Sequence, residues 1–184
     1  MVSKKVTWGL LLAWAVNDAE EWFTMAPWSR RYGGQARGRV PGPVWLRREI
    51  SPAQARTAIS LMGVIMLAAS ADGDRTAGRS RFFQAALAAF GLHGVGHLAL
   101  SARHRGYTPG VVTAPTVVLP FSLWAWRELG RAGVRRSAAG AVRDAAVLLP
   151  ASLAAVHLAA GVLTGEARRR GVNGRATSRA DRLG

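Results

Sequence analysis

The chain has 184 residues, of which 25 are basic and 10 acidic, and 49% are hydrophobic. Its length fits a single domain, and the absence of cysteine excludes disulfides, zinc–thiolate sites and thiol catalysis. A formal net charge of +15 in a soluble protein would suggest a nucleic-acid partner. Here the basic residues lie between long apolar stretches, so membrane-surface charge is the simpler interpretation, and we expect no nucleic acid as a partner.

The apolar stretches predict an all-α fold, a polytopic transmembrane bundle of about five helices. A helix needs about 20 mostly apolar residues to cross the hydrocarbon core of a bilayer. Together the segments predict one transmembrane domain over residues 1–164, and the basic residues 165–184, which lack an apolar face, predict a disordered tail. The predicted spans lie near residues 6–25, 55–72, 82–101, 108–127 and 143–163.

Prolines mark several predicted boundaries. Pro27 predicts the end of the first span, and Ser51 followed by Pro52 predicts the N-cap and the first residue of the second helix. The second span is the weakest of the five, because its apolar part is short. Pro115 and Pro120 fall inside the fourth segment and predict that it is kinked.

The distribution of basic residues predicts an orientation. In a five-span topology, Lys and Arg are more numerous on the side that holds the C-terminus. Since basic loops stay preferentially in the cytoplasm, we expect a multi-pass protein of the cell membrane with a cytoplasmic C-terminus. The lipid bilayer is then its principal partner.

Asn17-Asp18-Ala19-Glu20-Glu21 places several acidic groups in the last part of the first span. Ionisable groups inside a membrane cost roughly several kcal/mol each and by default mark a functional site. Asn17, Glu20 and Glu21 lie on related helix faces at positions i, i+3 and i+4. The alternative is that the span ends early and that the acids lie at the water interface.

His93 and His97 share one face of the third helix, at the spacing that lets two imidazoles bind one metal ion. The alternative is a pair of neutral histidines hydrogen-bonded to carbonyl groups. Together with the carboxylates of the first span they predict a shared intramembrane site, and mixed ligation of this kind suits zinc, iron or manganese. A divalent ion there could activate water or polarise a lipid carbonyl or phosphate. The same groups could instead relay protons in a transporter.

Two blocks of residues resemble a known family. The stretch Asn17-Asp18-Ala19-Glu20-Glu21-Trp22 is similar to the signature of the HXXEE family of bacterial integral membrane proteins, which often reads His-Asn-x-Glu-Glu-Trp. Gly94-Val95-Gly96-His97, followed by Tyr107-Thr108-Pro109-Gly110, resembles the second block of that family. The order and spacing of both blocks cover about residues 8–125.

The resemblance implies a small polytopic membrane protein with a metal-binding or catalytic site, in a family of uncharacterised function. Glu20 and Glu21 match the paired glutamates of the motif and would serve as catalytic bases and metal ligands, and His97 matches its later histidine. Asn17 stands where the motif has its first histidine, and an Asn carbonyl binds harder ions such as Mg²⁺. The candidate ligands of a divalent ion, with His93 as a substitute, are Asn17, Glu20, Glu21, His93 and His97.

Three functional interpretations follow. The first is a metal-dependent membrane enzyme that acts on a lipid-like substrate, with Glu20 and Glu21 as catalytic residues. The second is a small proton-coupled transporter that uses the same polar cluster. The third is a non-catalytic membrane protein that has lost the motif histidine, which the Asn at position 17 favours.

Overall fold

The computed structural model describes residues 2–32 and 49–165, which form five α-helices and no strand. This confirms the predicted all-α bundle. The predicted tail from residue 166 onward and most of the basic connection after the first helix lie outside the described residues. The helices are α1 (Lys4–Tyr32), α2 (Pro52–Arg75), α3 (Arg81–His104), α4 (Leu119–Arg131) and α5 (Ala138–Leu163), with a π-helical turn at Ala114–Val118 before α4.

Three of these helices, α2, α3 and α5, are long and apolar enough to cross a membrane. The second segment, the weakest by sequence, is therefore one of the three, because α2 extends to 24 residues. The first segment contains several acidic residues, and α4 has only 13 residues. Membrane crossing by these two segments stays a prediction, whereas the other three helices are consistent with a membrane protein.

Serine caps begin three helices, as the sequence predicts for α2. In each case the serine Oγ accepts a hydrogen bond from a backbone N–H in the first turn, which satisfies a group that has no partner inside the helix. Pro52 occupies the first turn of α2, where a missing N–H costs nothing. The capping residues are Ser51 for α2, Ser80 for α3 and Ser137 for α5.

The prediction that the first helix ends at Pro27 is wrong. α1 continues through Pro27 to Tyr32, although a proline inside a helix removes one backbone hydrogen bond. The last turns are held by Ser29, whose hydroxyl donates to the Ala26 carbonyl at 3.0 Å and accepts from the Ile50 N–H at 3.1 Å. This contact with the segment before α2 offsets the lost bond, so the helix persists.

The fourth segment begins later than predicted. Residues 109–112 form turns, and the π-helical turn at Ala114–Val118 precedes α4, which starts at Leu119. Pro115 and Pro120 lack the N–H groups that a regular α-helix would use. The predicted break is therefore present as a π-helical turn, a form of helix that occurs frequently at functional sites.

The helices pack in a ring, and α2 and α3 also contact each other across it. α1 packs on α2, α2 on α5, α5 on α3, α3 on the π-helical turn and α4, and these two on α1. One end of the ring is filled by an apolar core that includes Leu10, Phe83, Leu87 and Leu129, all fully buried. The other end contains a cavity of about 530 Å³.

Gln84 joins two turns at the filled end of the ring. Its side chain is completely buried, and its Nε2 donates to the Gly78 carbonyl at 2.8 Å and to the Val134 carbonyl at 2.9 Å. Its Oε1 accepts from the Arg136 N–H at 2.8 Å. The turn between α2 and α3 is thus tied to the connection between α4 and α5.

We expect Gln84→Leu to lower the free energy of unfolding by roughly 3 kcal/mol, because two carbonyls and one N–H would lose a buried partner. The measurement is thermal unfolding of the detergent-solubilised protein. Ser60→Ala, at an exposed position of α2, is the control and should leave Tm unchanged. Equal Tm values for Gln84→Leu and the unsubstituted protein would contradict the assigned role.

Candidate metal centre

Glu21, His93 and His97 converge where α1 and α3 face each other across the cavity. Nε2 of His97 lies 2.9 Å from Oε1 of Glu21, and Nε2 of His93 lies 3.4 Å from the same oxygen. The two Nε2 atoms are 2.8 Å apart. The side chains of Glu21 and His97 are only 6% and 9% exposed, whereas that of His93 is 24% exposed. A carboxylate of the first helix and the imidazoles of the third helix therefore share one site.

The residue types and distances fit a divalent transition ion. The three ligand atoms, two imidazole nitrogens and one carboxylate oxygen, all lie within 4.8 Å of one another. A tetrahedral ion with bonds of ~2.0–2.1 Å keeps its ligand atoms ~3.3 Å apart. The observed distances of 2.8, 2.9 and 3.4 Å are within about 0.5 Å of that value, so small side-chain rotations would admit the ion. Three protein ligands leave one position open, as in catalytic zinc sites.

Local sequence explains how α3 presents its two histidines. They are one helical turn apart, and their rings meet edge to face with centroids 4.2 Å apart. Gly94 lies between them and lets the π-helical turn come close, because a Cβ there would be 2.8 Å from Cγ1 of Val118. The pair is therefore packed against the break in the fourth segment.

Glu20 lies outside the three-residue group. Its Oε2 accepts from the Thr113 N–H at 2.9 Å and from the Thr113 hydroxyl at 2.7 Å, and its Oε1 accepts from the Tyr107 hydroxyl at 2.8 Å. Adjacent residues on a helix point about 100° apart, so Glu20 and Glu21 cannot face the same neighbour. The geometry gives no support to Glu20 as a metal ligand or catalytic base. Its contacts tie α1 to residues 107–113, which we call the strap.

Asn17, also predicted as a ligand, lies beside the three-residue group and contacts Glu21. It is completely buried, and its Nδ2 lies 3.4 Å from Oε1 of Glu21 and 3.3 Å from Oδ2 of Asp18. Its carbonyl Oδ1 lies 3.0 Å from the Thr113 hydroxyl and is therefore engaged elsewhere. Hydrogen bonds from such neighbours orient the carboxylates that bind metal ions.

Asp18 is the site residue that the sequence reasoning missed. It is 7% exposed and lines the cavity beside Glu21, as does His157 from α5. The sequence contains a pattern that places Asp18 beside Glu21, because the two residues are three positions apart and share a helix face. The i, i+3 and i+4 spacing from Asn17 and the family motif both favoured Glu20 and Glu21, whereas Asp18 and Glu21 are the acidic residues that line the cavity.

Gly110 holds the imidazole of His97 in place. Its φ of +84° is a conformation that L side chains rarely adopt. A Cβ at this position would lie 2.4 Å from Cε1 and 2.6 Å from Nδ1 of His97. The glycine of the Tyr-Thr-Pro-Gly turn therefore lies directly on the ring, and the strap carries that contact.

We expect Gly110→Ala to displace the His97 ring and to lower the affinity for a divalent ion at least about tenfold, the scale of outer-shell changes at metal sites. Gly133→Ala is a matched control, because Gly133 also has a positive φ, of +68°, and a Cβ there meets nothing within 4 Å. Both variants should lose about 1 kcal/mol of stability from backbone strain. Equal metal affinities in competition titrations of the two variants would contradict the role of Gly110.

The fold and the site together define an all-α protein with membrane-compatible helices and a candidate Glu/His metal centre. The family described as "Protein of unknown function with HXXEE motif" matches residues 8–125, and the chain belongs to this family. The matched region includes every residue of the three-residue group and the strap. No curated protein and no solved structure matches the chain.

Proposed function

We propose that this protein is a multi-pass enzyme of the cell membrane that acts on a lipid-like substrate with one divalent ion held by Glu21, His93 and His97. The convergence of three ligand atoms at the wall of a cavity carries the proposal. Most other lining residues are apolar, which suits a substrate with a hydrocarbon part.

The residues around the ion would have separate tasks. A bound divalent ion would supply Lewis acidity toward a carbonyl or phosphoryl oxygen and would activate water. Asn17 holds the Glu21 carboxylate in position through its amide N–H groups. Asp18 offers a second carboxyl group to a molecule in the cavity and could transfer a proton to or from it. The burial of Glu21 and His97 strengthens the electrostatic interactions between them and a bound molecule.

The test is turnover by purified protein in nanodiscs. The protein is treated with a chelator, supplied with zinc, iron or manganese, and incubated with lipid carboxylic esters and lipid phosphoesters, and the products are identified by mass spectrometry. We expect metal-dependent turnover that Glu21→Ala and His97→Ala abolish. His104→Ala, at the end of α3 and outside the group, should retain it. Turnover that survives both the chelator and His97→Ala would refute the proposal.

One distance favours a second candidate, a small proton-coupled transporter. The 2.8 Å between the two Nε2 atoms is also a hydrogen-bond distance, and Glu21, His97 and His93 would then form a proton relay. Metal-free protein that catalyses proton-dependent uptake in proteoliposomes would favour this candidate. Metal-free protein that is inert in both assays would favour a non-catalytic member of the family, in line with the Asn at position 17.

The basic connections support a cytoplasmic C-terminus, because Lys and Arg are more numerous on that side of a five-span topology. We expect a phosphatase reporter fused after Gly184 to be inactive and a fluorescent reporter at the same position to be active. The reverse result would overturn the orientation.

A further inference from the structure

The cavity extends beyond the three-residue group toward the apolar core. Its lining begins at Trp14 on α1, seven residues before Glu21, and at Ala86 on α3, seven residues before His93. A rise of 1.5 Å per residue gives a depth of about 10 Å along both helices. Leu10 and Leu87, each no more than 1% exposed, belong to the core beyond this point. The cavity therefore has a closed end below the metal ligands.

The walls of this closed end are apolar. We call it the tail pocket. Three of its residues also belong to the buried core, so the pocket is closed by tightly packed side chains. Asp18 lines its upper part, about 4.5 Å from Glu21 along α1, and Arg103 lines the opposite rim of the cavity. The tail pocket consists of Trp14, Met62, Met66, Ala86, Phe90 and Leu148.

We propose that the tail pocket binds the hydrocarbon chain of a single-chain amphiphile whose polar head reaches Glu21, His93 and His97, and that the depth of the pocket selects chain length. The inference rests on the proposed function and names its substrate class. An extended hydrocarbon chain lengthens by ~3.8 Å for every three bonds. A pocket about 10 Å deep therefore accepts about eight carbons. The apolar tail pocket suits the hydrocarbon chain of the amphiphile, and the group Glu21, His93 and His97 suits its polar head.

Trp14 is the residue that limits the depth on the side of α1. Its indole packs against Gly63 of α2, where a Cβ would lie only 2.9 Å from Cη2 of the ring. This contact leaves the ring no room to move toward α2. Trp14 is therefore a fixed part of the pocket floor, and its removal should lengthen the pocket.

The experiment measures calorimetric binding of n-alkyl phosphates to the full chain in nanodiscs, with chains on either side of the limit of about eight carbons. We expect affinity to rise about fourfold per carbon, equivalent to ~0.8 kcal/mol per buried CH₂, and to stop rising near that limit. Trp14→Ala should move the limit to longer chains and Ala86→Leu to shorter ones. Trp124→Ala, which removes a tryptophan of α4 outside the cavity lining, should keep the original limit.

The same titrations with the His97→Ala variant separate this inference from the proposed function. A limit that persists in this variant and still moves with Trp14→Ala supports the tail pocket independently of the metal. The same limit in the unsubstituted protein, together with no metal-dependent turnover, supports the tail pocket and refutes the metal-dependent enzyme alone. Metal-dependent turnover without any chain-length limit refutes the tail pocket alone. An affinity that rises with chain length without limit in all variants shows partition into the bilayer and also refutes it.

Discussion

Glu21→Ala and His97→Ala are each expected to lower the affinity of the purified protein for a divalent transition ion by more than about 100-fold, because changes in the outer shell alone cost 10- to 100-fold. Each substitution removes one of three ligand atoms that lie within 4.8 Å of one another. The remaining pair would bind an ion weakly. Metal content after dialysis, measured by mass spectrometry, and competition titration with a chromophoric chelator provide the two measurements.

Glu20→Gln is the matched control, since it alters the neighbouring glutamate of the same motif. Glu20 binds the strap through Thr113 and Tyr107 and lies outside the ligand group. The amide oxygen can still accept from Thr113, and the amide NH₂ group can donate to the Tyr107 hydroxyl oxygen, so any loss of metal affinity should be about tenfold or less. Protein that keeps its metal in Glu21→Ala and loses it in Glu20→Gln would show that the ligand assignment is wrong.

The second prediction with a large effect is that a double variant regains metal affinity that a single variant loses. We expect His93→Ala to lower metal affinity by more than about 100-fold, and Asn17→His combined with His93→Ala to recover most of it. Nδ2 of Asn17 lies 3.4 Å from Oε1 of Glu21, so an imidazole at position 17 can reach the same ion. The family motif has a histidine at this position, and the double variant restores that pattern. His93 would then compensate, in this chain, for the Asn at position 17.

Asn17→Gln combined with His93→Ala is the control for the rescue, because glutamine fills similar space without an imidazole. It should stay as weak a metal binder as His93→Ala alone. The single variant Asn17→His adds a fourth ligand, so it should bind metal more tightly but slow turnover by closing the open position. Failure of the double variant to regain metal, with its Tm unchanged, would refute compensation by His93.

The sequence by itself determined the helical architecture. Long apolar segments between charged residues require helices in a bilayer, because every backbone polar group must be satisfied within its own segment. The cap at Ser51 follows from equally local chemistry, as does the break at Pro115 and Pro120. The spacing of His93 and His97 placed them on one helix face, and the structure shows them in contact. All of these features depend on residues that are near one another in the chain.

Only the tertiary structure decided which acidic residue of α1 faces which neighbour. Helical periodicity gives the angles between Asp18, Glu20 and Glu21 but not the rotation of the helix about its own axis. That rotation follows from packing against the neighbours of α1, which include α2, the strap that binds Glu20 and the α3 histidines that meet Glu21. For this reason Glu20 anchors the strap, whereas Asp18 and Glu21 face the cavity.

The cavity and the contact of Gly110 with His97 also depend on the tertiary structure. Both arise between segments that are distant in sequence, and the residues alone carry no measure of the space between helices. The extension of α1 past Pro27 has the same origin, since Ile50 supplies the contact that holds its last turn. The sequence thus determined the helices and their polar residues, and packing between distant segments determined which of those residues form a site.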